Sequence, residues 1–93
     1  MSNRKSWHII VSGRVQGVGF RYFVREKALE YKLNGWVRNL PNGKVEIEVS
    51  GDPDAFEVFL DFIKLGNGYS RVEQVGKSEI NPPNEYRSFQ IRY

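Results

Sequence analysis

The period of the apolar positions changes several times along this chain, and each change marks an element. Trp7 to Ser12 is a short apolar, β-branched run that predicts a strand. After a glycine-rich stretch, Phe20, Val24, Ala28 and Tyr31, with Phe23 alongside, recur at the three- and four-residue steps of one helical face. This spacing predicts a helix from about Arg21 to Leu33, stopped by Asn34-Gly35, both of which tolerate the left-handed backbone. Trp36 to Leu40 reads as a second strand, and Leu40-Pro41-Asn42-Gly43 as the tight turn of a hairpin. Lys44 to Val49 alternates strictly, which predicts a strand with one buried and one wet face.

The second helix is expected to start at Asp52-Pro53-Asp54. Asp52 suits the N-cap, proline the first helical position, and an acid in the first turn complements the helix dipole. Its apolar stripe is Phe56, Phe59, Leu60 and Ile63, and Gly66-Asn67-Gly68 ends it. Val72 to Lys77 reads as a fourth, weaker strand, Asn81-Pro82-Pro83-Asn84 as a loop, and the alternation of Phe89, Ile91 and Tyr93 as a terminal strand. The order β-α-β-β-α-β, with an additional strand at the end, predicts an α+β fold. It is the two-layer ferredoxin-like sandwich, an antiparallel sheet with both helices on one face. The two halves share element order but no residue repeat.

Composition narrows the chemistry. A chain of 93 residues suffices for one domain and one core. No apolar run approaches the roughly 20 residues of a membrane span, and the polar start Met1 to Ser6 lacks a signal-peptide core. A cytoplasmic protein is expected, with no membrane partner. No cysteine and a single histidine leave no thiol nucleophile, no disulfide framework and no basis for a structural metal site. The net charge of +3 suits an anionic small substrate, but the basic residues are dispersed, which argues against nucleic acid. Arg4-Lys5, the only adjacent basic pair, reads as a solvated end.

The stretch Gly13-Arg14-Val15-Gln16-Gly17-Val18-Gly19-Phe20-Arg21 carries the candidate chemistry. A strand runs into three glycines, then a helix opens with an arginine. Glycines let successive backbone N–H groups converge on one point, and a helix start adds unpaired donors and positive potential. An arginine there supplies a planar fork suited to phosphate or carboxylate. Solvated at a helix N-terminus, the same arginine is disfavoured by roughly 0.3–1 kcal/mol unless an anion reverses the sign. The loop is neither a Walker A motif, since Val18 stands where Gly-Lys-Ser/Thr should begin, nor a dinucleotide fingerprint, whose third glycine is missing.

Val11 to Arg21 resembles the acylphosphatase signature, and a second signature of that family is similar to Gly35-Trp36-Val37-Arg38-Asn39 with Gly43, Val45 and Gly51 beyond it. The resemblance runs from about residue 7 to 93 and implies that residues 1–93 form one acylphosphatase-like domain. Many relatives carry a Gly-Pro pair where this chain has Gly66-Asn67-Gly68-Tyr69-Ser70. The resemblance implies hydrolysis of acyl phosphates to a carboxylate and inorganic phosphate, without metal, cofactor or phosphoenzyme; a monomer is expected. It implies that Arg21 binds the phosphate with the backbone amides of Gln16, Gly17, Val18, Gly19, Phe20 and Arg21, and that Asn39 orients the attacking water. In this family the base is often assigned to the substrate's own phosphate. The residues agree with this on physical grounds. Carboxylate is a good leaving group, so positioning and charge stabilisation can carry the rate without a strong protein base. An amide such as Asn39 accepts and donates hydrogen bonds but is no strong base. Taken alone, Asn39 also reads as a turn asparagine bonding its own backbone.

The remaining candidates have plainer readings. His8 reads as a strand histidine that faces solvent or packs in the sheet, Glu46 and Glu48 as a wet sheet face, and Phe56, Phe59 and Trp36 as core. The aromatic RNA-binding signature is absent from the Lys44–Val49 strand. A non-catalytic anion-binding or regulatory domain on the same scaffold is the alternative function. It would need the loop and Arg21 but not Asn39.

Overall fold

The computed structural model describes residues 4–93, so the start of the polar Met1–Ser6 segment lies outside the described residues. Seven elements follow in order: β1 (Lys5–Arg14), α1 (Phe20–Glu30), β2 (Asn34–Asn39), β3 (Val45–Gly51), α2 (Pro53–Leu65), β4 (Arg71–Ile80) and β5 (Phe89–Arg92). The sheet order is β4-β1-β3-β2-β5. The first four of these strands form the expected antiparallel sheet. The terminal strand β5 adds to its edge parallel to β2, so the sheet is mixed.

Both helices share one core with one face of the sheet. Phe20, Val24 and Ala28 of α1 and Phe56, Phe59, Leu60 and Ile63 of α2 pack with Trp7, Ile9, Val11, Val37, Val45, Ile47 and Val49. Trp7 stacks on Phe56 with ring centroids 3.8 Å apart. The start of α2 is as the sequence predicts: Asp52 caps the helix by accepting the Ala55 N–H at 3.1 Å, and Pro53 takes the first turn.

The end of α1 differs from the sequence expectation. Asn34-Gly35 does not stop it; both residues already belong to β2. Lys32 instead adopts the left-handed conformation, with φ 57°. The Leu33 N–H then reaches the Ala28 carbonyl at 2.8 Å and the Lys32 N–H reaches Leu29 at 3.3 Å, the paired bonds of a Schellman cap. Leu33, immediately after, is buried, and α1 ends at Glu30, three residues before the expected end. The fourth strand also outruns its apolar pattern. It pairs along almost all of β1, so backbone hydrogen bonding extends it to Ile80 although most of its side chains are exposed. Lys5 lies within β1, near Glu79 at 3.8 Å, rather than in a solvated end.

The second face of the sheet is not simply wet. Residues 81–88 cover part of it: Asn84 Nδ2 donates to Glu48 at 2.7 Å, and the Tyr86 hydroxyl donates to the same carboxylate. Glu48 is consequently 9 % exposed. Burial first, and then the bond to Glu48, raises the Tyr86 phenol above its ordinary range. Trp36 belongs to this face and not to the apolar core. The guanidinium groups of Arg92 and Arg38 lie 4.7 and 5.4 Å from its ring centroid. Beside it, Glu46 bridges His8 Nε2 at 2.7 Å and Arg38 Nε at 2.6 Å. Burial pushes the Glu46 carboxyl up, but its bonds to His8 and Arg38 and the arginine's charge outweigh that and hold it below the usual carboxylate range.

Candidate active site

Topology brings the parts of the site together. Strands β1 and β2 flank β3 and both run against it, so they point the same way, and β5 is parallel to β2. The C-terminal ends of β1, β2 and β5 therefore meet at one end of the sheet. The chain leaves β1 there through the glycine loop and enters α1. Asn39 is the last residue of β2, and the Arg92 carbonyl closes β5.

The loop is anchored by Val15, which is buried. Gly17 and Gly19 have φ 72° and 75°, where a β-carbon costs about 1–2 kcal/mol. Gly19 is the N-cap of α1 and has no side chain with which to cap it. The helix ladder opens with the Phe23 N–H donating to the Gly19 carbonyl at 3.1 Å. The N–H groups of Phe20, Arg21 and Tyr22 stand outside that ladder, at the positive end of the helix. Arg21 sits among them. Its Nη1 donates to the Arg92 carbonyl at 3.3 Å, and its guanidinium lies 4.7 Å from the Tyr93 ring centroid. Tyr93 in turn shares a hydrogen bond of 3.3 Å with the Tyr22 hydroxyl, which raises the Tyr93 phenol above its ordinary range.

These groups surround a hollow of about 80 Å³ lined by Val15, Gly17, Gly19, Phe20, Arg21, Tyr22 and Asn39. Asn39 Oδ1 is buried in the wall and accepts no hydrogen bond. The turn reading of Asn39, with the side chain bonded to local backbone, therefore fails at this oxygen. Buried polar atoms are nearly always partnered, so an orphan beside a pocket marks a place for a small donor such as water.

Of the residues expected to line a phosphate cradle, Gly17, Gly19, Phe20 and Arg21 border the hollow; Gln16 and Val18 do not. Gln16 instead spends its side chain on the hairpin. Its Nε2 donates to the Leu40 and Lys44 carbonyls, each at 2.8 Å, tying the loop to the strand end that carries Asn39. The Val18 carbonyl accepts from Asn67 Nδ2 at 2.9 Å. Neither contact is readable from the sequence, because neither partner is local. A larger hollow, about 420 Å³, lies at the opposite end of the sheet around Asn34, Ser50 and Asn84. There Ser6, Ser50 and Asn84 bond one another, which accounts for the polar character of that wall.

An α+β sandwich with a glycine loop, a helix-start arginine and a strand-end asparagine at one end of the sheet is the frame of a small phosphate-handling enzyme. The acylphosphatase family model matches residues 7–91. An acylphosphatase of Geobacillus kaustophilus is 44 % identical over 89 residues, covering 96 % of this chain and 95 % of that protein. The crystal structure of the Bacillus subtilis acylphosphatase, 42 % identical, superposes with a TM-score of 0.93 over 96 % of this chain and 99 % of that one. Full-length HypF, solved in a phosphate- and nucleotide-bound form, matches the whole of this chain at 32 % identity and a TM-score of 0.87, over 12 % of its own length. The chain belongs to the acylphosphatase family and is a hydrolase.

Proposed function

We propose that this protein hydrolyses the carboxyl-phosphate bond of acyl phosphates by direct attack of water. The phosphoryl group sits against the glycine loop, held by backbone N–H groups between Gln16 and Arg21 and by the Arg21 guanidinium. Asn39 Oδ1 accepts a hydrogen bond from the attacking water and aims its oxygen at phosphorus. As the new P–O bond forms, the bond from phosphorus to the acyl oxygen breaks and the carboxylate leaves with its electron pair. The proton of the water passes to a phosphate oxygen, giving dihydrogen phosphate. Arg21 and the helix-start amides meet the charge on the equatorial oxygens, as phosphoryl transfer requires. The carboxylate needs no proton to leave, so this route asks the chain for neither a general acid nor a base.

The observation that carries this reading is that Asn39 borders the same hollow as Arg21 and its Oδ1 has no hydrogen-bond partner within the protein. An anion-binding domain would gain nothing from an orphan acceptor at that place, whereas a hydrolase needs one. The substrate class follows from the family. Among the described residues no helix is long and apolar enough to cross a membrane.

The test is steady-state hydrolysis of benzoyl phosphate with EDTA present, for the unaltered protein, Arg21→Ala and Asn39→Ala. Turnover that persists in EDTA and collapses in both variants is the expected result. A folded, unaltered protein with no hydrolysis above buffer would leave the anion-binding alternative as the better account.

A further inference from the structure

We propose that Asn67, in the loop after α2, is a positioning residue that fixes the phosphate cradle through the Val18 carbonyl. The proposal rests on the phosphate-binding role given above to the glycine loop.

The argument starts from the peptide unit between Val18 and Gly19. It is trans, so its C=O and N–H point in opposite directions. Asn67 Nδ2, in the α2–β4 loop, holds the Val18 carbonyl at 2.9 Å. The Gly19 N–H is thereby turned away from Asn67, and Gly19 borders the hollow beside Arg21. Gly19, at φ 75°, is free to take either sign of φ, so its backbone offers little resistance to a flip of this plane. A flipped plane would present a carbonyl oxygen where a donor is needed, and an oxygen there repels phosphate. The Asn67 bond is what selects the donor-facing arrangement.

Asn67 is built for this task. Its Oδ1 accepts the N–H groups of Tyr69 at 3.0 Å and Ser70 at 2.9 Å. Its own N–H donates to Ser70 Oγ at 3.1 Å. Two backbone donors on Oδ1 settle which end of the amide is oxygen, so the end facing Val18 is the NH₂ group. The same side chain thus knots its own loop and reaches 49 residues back to the cradle.

The experiment compares Asn67→Asp, Asn67→Ala and Tyr69→Ala, using inorganic phosphate as the competitor of benzoyl phosphate. Asn67→Asp keeps the acceptor for Tyr69 and Ser70 but sets an oxygen against the Val18 carbonyl. Its inhibition constant for phosphate is expected to rise by about 10-fold or more, and that of the uncharged Asn67→Ala by about 3- to 10-fold. Tyr69→Ala, which alters an exposed side chain of the same loop, should leave phosphate inhibition unchanged. In the unaltered protein, phosphate should shift the Gly19 amide proton in an NMR titration, and that response should shrink in Asn67→Ala. Unchanged phosphate inhibition in both folded Asn67 variants, or a Gly19 amide indifferent to phosphate, overturns the clamp while Arg21 and the loop keep their role. If phosphate does not inhibit the unaltered protein at all, the phosphate-site reading itself fails, and the clamp with it.

Discussion

Truncating Asn39 is expected to separate catalysis from stability in this protein. With the role proposed for it, Asn39→Ala deprives the water of its acceptor, and removing one preorganised hydrogen-bonding group typically lowers turnover by about 10²–10³, or roughly 2.7–4 kcal/mol. The folded state should not suffer to match. Asn39 Oδ1 makes no hydrogen bond that alanine would forfeit. Truncation therefore costs only the modest packing of a small side chain. For a chain of 93 residues, each kcal/mol moves the melting temperature by about 4–8 °C. The expected variant therefore melts within a few degrees of the unaltered protein while hydrolysing benzoyl phosphate at least a hundredfold more slowly. Inorganic phosphate should still compete within about threefold, because the cradle is untouched. Circular dichroism melts beside steady-state rates and phosphate inhibition give all three numbers. A variant that melts well below the parent, or that keeps its turnover within threefold, would refute the assignment of this oxygen to the attacking water.

Arg21→Lys should lose turnover nearly as completely as alanine does, because an ammonium is a point charge and cannot present a planar fork; near-normal kcat in the lysine variant would count against bidentate phosphate contact. Lys32→Gly should raise stability by about 1 kcal/mol, since it removes a β-carbon from a left-handed position; urea melts that show no gain would remove the Schellman cap as the reason α1 stops. Glu46→Gln tests the His8–Glu46–Arg38 bridge through pH. The folded carboxyl lies below its ordinary value of 4.5, so its contribution is full above that pH and fades as the pH falls through the folded value. The amide of the variant cannot titrate, so the stability gap between the two proteins should be widest near pH 7 and narrow as the pH falls below 4.5. A gap that stays constant over that range would show that the bridge adds nothing through charge.

The elements that carry a strong apolar period were legible in the sequence: the β1 run, both helix stripes, the β3 alternation and the capped start of α2 all stand where the pattern puts them. What the pattern could not show depends on distant partners. The stop of α1 is decided by burial of Leu33 and not by the nearby Asn-Gly pair. The length of β4 comes from backbone pairing with β1, and its side chains record almost none of it. Glu46 and Glu48 look solvent-facing in a strand of alternating charge, yet residues 81–88 and the neighbouring strands enclose them. In the candidate site, the motif residues pointed to Arg21 and Asn39, which the structure brings to one hollow. The side-chain ties of Gln16 and Asn67 leave no local signature, since each spans 24 residues or more to reach a backbone carbonyl.

Those long ties also set an order of events for a chain that has just been released from denaturant. Gln16 must meet residue 40, Asn67 must meet Val18, and Arg21 must meet Arg92 across 71 residues before the hollow has its walls. Each closure carries an entropic cost that grows with the span, so contacts of this kind form late. Activity should therefore reappear after secondary structure and after burial of Trp7. Recovered turnover is therefore expected to report assembly of the site at the end of the sheet, and activity that returns before Trp7 is buried would refute that order.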